Sequence, residues 1–121
     1  MKYKNGDIYE GEFKYGKKDG SGKYKFASAN KIYTGQFKND KLEGHGVMDL
    51  LENFKYDGEF RKNKMCGFGK MIFPNGCEYE GYFDKDKING MGCLTFFEGR
   101  KVEGRWENNV CVDATFYEMD D

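Results

Sequence analysis

No stretch of the chain is long or apolar enough to span a membrane, and its first residues, Met1-Lys2-Tyr3-Lys4-Asn5-Gly6, hold no apolar signal core. A soluble intracellular protein is expected. Charge of one sign is also missing: 20 basic and 21 acidic residues leave a net charge of −1, so no whole-molecule field points to nucleic acid. The excess is local, with eight lysines against four acids in residues 1–31 and four acids without a base in residues 110–121. Cys66, Cys77, Cys93 and Cys111 form no C-x-x-C pair, and His45 is the only histidine, too little for a mixed zinc site. The thiols fall at unrelated positions, which favours free cysteines in a reducing compartment over a stapled secreted framework. Aliphatic residues are sparse, yet aromatics make up 17% of the chain, enough ring surface to build a folded rather than disordered protein.

What the chain does have is repetition. Gly20-Ser21-Gly22, Gly44-His45-Gly46, Gly67-Phe68-Gly69 and Gly90-Met91-Gly92 recur every 23 to 24 residues. Each is preceded by an aromatic-x-Gly-x-aromatic segment, beginning at Tyr9, Tyr33, Tyr56 and Tyr79, and a variant runs Val102-Glu103-Gly104-Arg105-Trp106. Identical modules in series build a surface more readily than a reaction centre.

The repeated residues alternate, which is the period of a strand: Tyr79, Gly81 and Phe83 share one face, and Gly67, Gly69, Met71 and Phe73 are expected to share the corresponding face of the following type of strand. Each unit is therefore a two-stranded hairpin. Asn5-Gly6 and Asn75-Gly76 suit the two positive φ values of a two-residue turn. At the other turn Gly16, Asp40, Asn63, Asp86 and Asn109 all tolerate the left-handed region. Glycine inside strands needs compensation, and a ring from the neighbouring strand lying over bare backbone would supply it while letting the sheet bend. The expectation is an all-β protein: a single-layer, curved antiparallel meander of stacked hairpins. Its trough would be lined by Tyr9, Phe13, Tyr33, Phe37, Tyr56, Phe60, Tyr79, Phe83 and Trp106.

Units of the form Y-x-G-x-F/W, turn, G-x-G, aromatic, N-G resemble the MORN repeat (membrane occupation and recognition nexus). The resemblance organises residues 1–121 as one domain: a partial opening hairpin 1–8, repeats starting at 9, 33, 56 and 79, and a degenerate capping repeat 102–121. There the positions of Gly90 and Gly92 correspond to Asp113 and Thr115. It implies stacked hairpins and a noncatalytic scaffold or adaptor, with protein partners in a eukaryotic cytoskeletal, ciliary or axonemal assembly. Some members of the family are linked to phospholipids, which makes a peripheral phosphoinositide-binding module the alternative.

Chemistry-bearing motifs reduce to the repeat. Lys18-Asp19-Gly20-Ser21-Gly22-Lys23 lacks the spacing of a phosphate loop, and Glu10 with Glu12, or Glu78 with Glu80, sit on a polar strand face with no pocket to separate their pKa values. No cofactor, metal, nucleic acid or small-molecule substrate is expected. Lys14, Lys17, Lys18, Lys23 and Lys25 are the candidate lipid contacts, each worth about 1 kcal/mol at an anionic leaflet if uncompensated. On the face opposite the glycines, polar residues give way to Phe68, Ile72, Met91 and Cys93. These four form the second candidate partner surface beside the aromatic trough.

Overall fold

A computed structural model of the chain describes residues 1–50 and 54–117. Ten strands form one open antiparallel sheet: β1 (Ile8–Lys14), β2 (Lys17–Phe26), β3 (Lys31–Lys38), β4 (Lys41–Asp49), β5 (Lys55–Arg61), β6 (Lys64–Ile72), β7 (Glu78–Asp84), β8 (Lys87–Thr95), β9 (Lys101–Glu107) and β10 (Val110–Tyr117). Their order in the sheet is their order in the chain. The end of the expected capping unit, residues 118–121, lies outside the described residues, as does the part of the second repeat at 51–53.

Within each hairpin the strands are joined by a two-residue turn with successive positive φ values, 49° and 71° at Lys62-Asn63 for example. This pair of angles matches the twist of the flanking strands, which is why a two-residue loop selects it. Between hairpins the geometry differs from the expectation for Asn-Gly. Of each Asn-Gly pair the glycine alone enters the left-handed region, Gly6 at 95° and Gly76 at 89°, while Asn30 and Gly99 do so at two of the other connections. Gly76 N–H donates to Phe73 O at 3.0 Å, closing an ordinary turn over Pro74 and Asn75. Proline's fixed φ suits the first central position of that turn, and the glycine after it absorbs the change of direction.

The alternation of the second strands is also interrupted. Gly58 pairs with Gly69 and Phe60 with Met65, so Glu59 alone faces Cys66, Gly67 and Phe68. The extra residues form a bulge at which Gly67 has φ 82°. A side chain on Gly67 would point at Glu59 Cβ, 3.5 Å away, while one on Gly69 would strike the Tyr56 ring. The two glycines of each G-x-G therefore do not share a face, because a positive φ reverses the side-chain direction that strict alternation assumes.

Hairpins are tied to one another by more than the strand ladder. The second turn residue of one hairpin reaches the return strand of the hairpin before it. Asp40, Asn63, Asp86 and Asn109 accept through Oδ1 from the backbone N–H of Lys18, Leu42, Met65 and Ile88 at 2.7 to 2.9 Å. Their own N–H groups donate to the carbonyls of those same four residues at 2.9 to 3.1 Å. Glycine stands at this position only in the first turn, Gly16, which has no complete hairpin before it among the described residues.

Candidate functional site

One face of the sheet is a continuous ladder of rings. Tyr9, Tyr33, Tyr56 and Tyr79 have no solvent exposure. Each meets the aromatic four residues along its own strand and the aromatic of the next repeat, edge to face, with centroids 4.9 to 5.5 Å apart. Phe37, Phe60 and Phe83 thus each serve two tyrosines, whereas Phe13 touches only Tyr9 and is 45% exposed. Such a contact contributes about 0.5–1.5 kcal/mol beyond burial alone. The buried hydroxyls are satisfied locally: Tyr33 donates to Gln36 O at 2.8 Å and Tyr56 to Glu59 O at 2.9 Å. Burial pushes Tyr33 and Tyr79 up to about 12, and Tyr9 and Tyr56 upward as well, since a phenolate there would lose its water.

These tyrosines also cover the glycines. Tyr79 leans over Gly81 on its own strand as well as Gly92 on the neighbouring one, so the covering ring comes from both directions rather than from the neighbour alone. A Cβ on Gly81 would lie 2.5 Å from Gly92 Cα and 2.6 Å from Met91 O, contacts that backbone cannot relieve. The glycine pair is a steric requirement of a flat-lying ring.

The trough residues are therefore mostly its floor. Tyr56, Phe60, Phe83 and Trp106, with the buried Met48 and Met71, floor a groove of about 650 Å³ whose more exposed rim is Leu50, Phe54, Met65, Ile88 and Leu94. Tyr33, Phe37 and Tyr79 lie outside that groove, packed in the same cluster. Trp106 is buried, and its indole Nε1–H has no acceptor among the described residues. Three methionines in the groove, Met48, Met65 and Met71, give it an adaptable lining.

On the opposite face Phe68 and Met91 are 50% and 59% exposed. Ile72 and Cys93 are half-buried on the same face. Sequence reasoning missed Tyr82, which sits directly across from Phe68 with ring centroids 5.5 Å apart. The available signal was position: Tyr82 replaces Glu12, Gln36, Glu59 and Arg105 of the other units, the one ring in a polar column. Half-exposed rings on such a column form an apolar patch with Met91.

The candidate lipid-binding lysines do not converge. Lys18 lies on the ring face, its Nζ 5.3 to 5.8 Å from the centroids of Tyr3, Tyr9 and Tyr24 and 3.5 Å from Asp40. Lys23 and Lys25 point the other way, in register with Glu10 and Ile8. Lys14 and Lys17 close the first turn. All four cysteines are free and partly exposed. Among the described residues no group of three or more His, Cys, Asp or Glu side chains is placed to hold a metal ion.

The repeat geometry coincides with a family pattern. The MORN repeat model matches residues 9–31, 33–50, 56–78 and 79–99. The chain belongs to the MORN repeat family. The matched stretches begin at Tyr9, Tyr33, Tyr56 and Tyr79, the four tyrosines of the ladder, so the family pattern and the packing unit are one thing. No curated protein matches the chain significantly. Among solved structures, it is similar to the TCP domain of SAS-4 (dCPAP) of Drosophila melanogaster, solved in complex with a proline-rich motif of Ana2 (dSTIL). The TM-score is 0.56 at 17% identity, covering 97% of this chain and 68% of that one, a likeness of fold.

Beyond Trp106 the MORN pattern breaks in a specific way. Gly104 pairs with Ala114, so Ala114 rather than Thr115 takes the place of Gly92. The bulge there shrinks to the single residue Val112, between Cys111 and Asp113, because no left-handed glycine is present to hold a larger one.

Proposed function

We propose that this MORN-repeat chain is a noncatalytic scaffold that holds an extended apolar segment of a protein partner in the groove over hairpins β5–β6 and β7–β8. The observation that carries the reading is the groove itself: about 650 Å³, open along one face, floored by Tyr56, Phe60, Phe83 and Trp106 and rimmed by flexible apolar side chains. A groove of this kind takes anchors from a chain laid across it. The fold neighbour's complex with a proline-rich motif supports a peptide as the occupant. A reducing compartment extends the reading and is supported by the four free thiols, and a cytoskeletal or axonemal assembly is the setting that the family resemblance adds.

A second docking surface, the patch of Phe68, Tyr82 and Met91, is favoured by the exposure of two rings that meet edge to face on an otherwise polar face. Phosphoinositide binding is the weaker reading, since Lys18 is already engaged by three rings and Asp40.

Peptide-array screening of two variants against the wild type separates the surfaces. Leu50→Glu with Met65→Glu places charge on the groove rim, and Phe68→Ser with Met91→Ser strips the opposite patch. Loss of peptide capture in the rim variant alone, with both variants melting like wild type, is the expected result. Loss only in the second variant would move the dock to the opposite face, and full capture by both would reject the two surfaces together.

A further inference from the structure

The turn end of the first three hairpins carries an arrangement that the fold does not ask for. Lys14 pairs across the strands with Lys17, Lys38 with Lys41, and Arg61 with Lys64. Like charges directly opposite one another destabilise a sheet. The repeat itself does not demand them, because the fourth hairpin sets Asp84 against Lys87 and the fifth Glu107 against Val110. All six cations are exposed. The close ion pairs of the described residues engage Lys18, His45, Lys70, Arg100 and Arg105 instead, and of the six only Lys17 acts on a neighbouring carboxylate, Asp40, from a longer range.

Nearby carboxylates are held by backbone N–H groups. Asp40 and Asp86 accept from the backbone N–H of Lys18 and Met65, and Glu43 from that of Lys62. Between neighbouring turns the surface is recessed. A hollow of about 580 Å³ has Lys14, Lys17 and Lys38 in its walls together with Glu12, Asp19 and Glu43, and another of about 340 Å³ lies among Arg61, Lys62, Lys64, Cys66, Asp84 and Lys85, with four cations to one carboxylate.

From this juxtaposition we propose that the turn edge of hairpins β1–β2, β3–β4 and β5–β6 is a docking track for an extended acidic segment of a partner protein. Successive pairs are two strands apart, about 9.6 Å at ordinary strand spacing. A peptide in the polyproline II conformation has three residues per turn and advances about 3.1 Å per residue, so carboxylates at every third position share one side and recur every ~9.3 Å, in step with successive pairs. A line of charge of this kind fits a chain better than a plane. This surface is separate from the apolar groove and stands or falls independently of it.

The test uses fluorescence anisotropy of a short fluorescein-labelled peptide with glutamate at every third residue, beside its glutamine analogue. Wild-type protein should bind the glutamate peptide and not the analogue, and rising salt should weaken the complex. Replacing one pair by glutamine, as in Lys38→Gln with Lys41→Gln, should weaken binding about five-fold, and replacing all three should abolish it. Melting temperature should hold or rise as the like-charge repulsion is removed, a change that loss of a structural role would not produce. Lys55→Gln with Lys101→Gln, exposed strand lysines away from the turns, is the control and should bind normally. Equal weakening in that control, equal binding of the glutamine analogue, or binding to phosphatidylserine vesicles with none to the peptide would each overturn the proposal.

Discussion

The fourth hairpin and the fifth both open on a seven-residue strand and turn through two left-handed residues, yet one is built around a tyrosine and the other around a valine. In β7–β8, Tyr79 lies over Gly81 and Gly92, and the bulge takes three residues against one. In β9–β10, Val102 replaces the tyrosine, Ala114 replaces the second glycine, and one residue suffices for the bulge. The comparison shows that tyrosine, glycine pair and bulge form one unit. Once the ring is gone nothing forbids a Cβ beneath it, and the last hairpin uses that freedom. Trp106 keeps its place because it still receives Tyr79 from the preceding hairpin.

The most severe way to break this comparison is to put the fifth hairpin's residues into the fourth one at a time. Gly92→Ala should cost about 3 kcal/mol, measured by urea denaturation, because the methyl group meets a fully buried ring held from the other side. In a Tyr79→Val background the same change should cost under about 0.5 kcal/mol, and additive costs in that double-mutant cycle would separate the ring from the glycine.

A broader effect should appear in alkali. The buried tyrosines hold their protons more tightly folded than unfolded, so the unfolded chain releases them first. Their contribution is complete below about pH 10 and is lost as pH rises toward about 12. Circular dichroism should show the sheet failing across that interval. A Tyr56→Phe variant should retain its signal to higher pH, and a transition indifferent to that substitution would assign the loss to other groups.

Asn63→Gly should have the smallest effect, about 1 kcal/mol. It keeps the left-handed turn but removes the Oδ1 that receives Leu42 N–H from the hairpin before. At Gly16 the side chain is already absent, so Gly16→Asn should leave stability within about 0.5 kcal/mol. Equal effects at both positions would mean that the side chain serves the turn alone.

Much of the fold was legible because spacing carries it: the repeat length, two strands per unit and the turn positions all follow from where Tyr, Gly and Asn or Asp recur. Alternation failed at the first glycine of each G-x-G because a positive φ resets which face a residue serves, and only pairing reveals the bulge. The turn Asp and Asn residues were read as tolerant of a left-handed backbone, which is true of Asn63 but omits its bond to a residue 21 positions earlier. Tyr82 and the paired lysines were hidden for the same reason, since their meaning lies in the residue across the strand and not along it. The trough was located correctly as a surface of rings, although full burial of the tyrosines leaves the rim to meet any partner.

A sheet whose strands neighbour one another strictly in chain order also has a mechanical character. Its ladder hydrogen bonds run across the strands, parallel to the line joining the two ends of the array. Tension applied between those ends therefore pulls along the bonds and opens them one strand at a time, as in a zipper, rather than shearing many together. Each turn Asp or Asn adds two hydrogen bonds to the seam between hairpins, the first link that such a load must part. Under stretch the molecule would lengthen in steps of a hairpin at modest force, and a load-bearing attachment would hold best through the faces of the sheet.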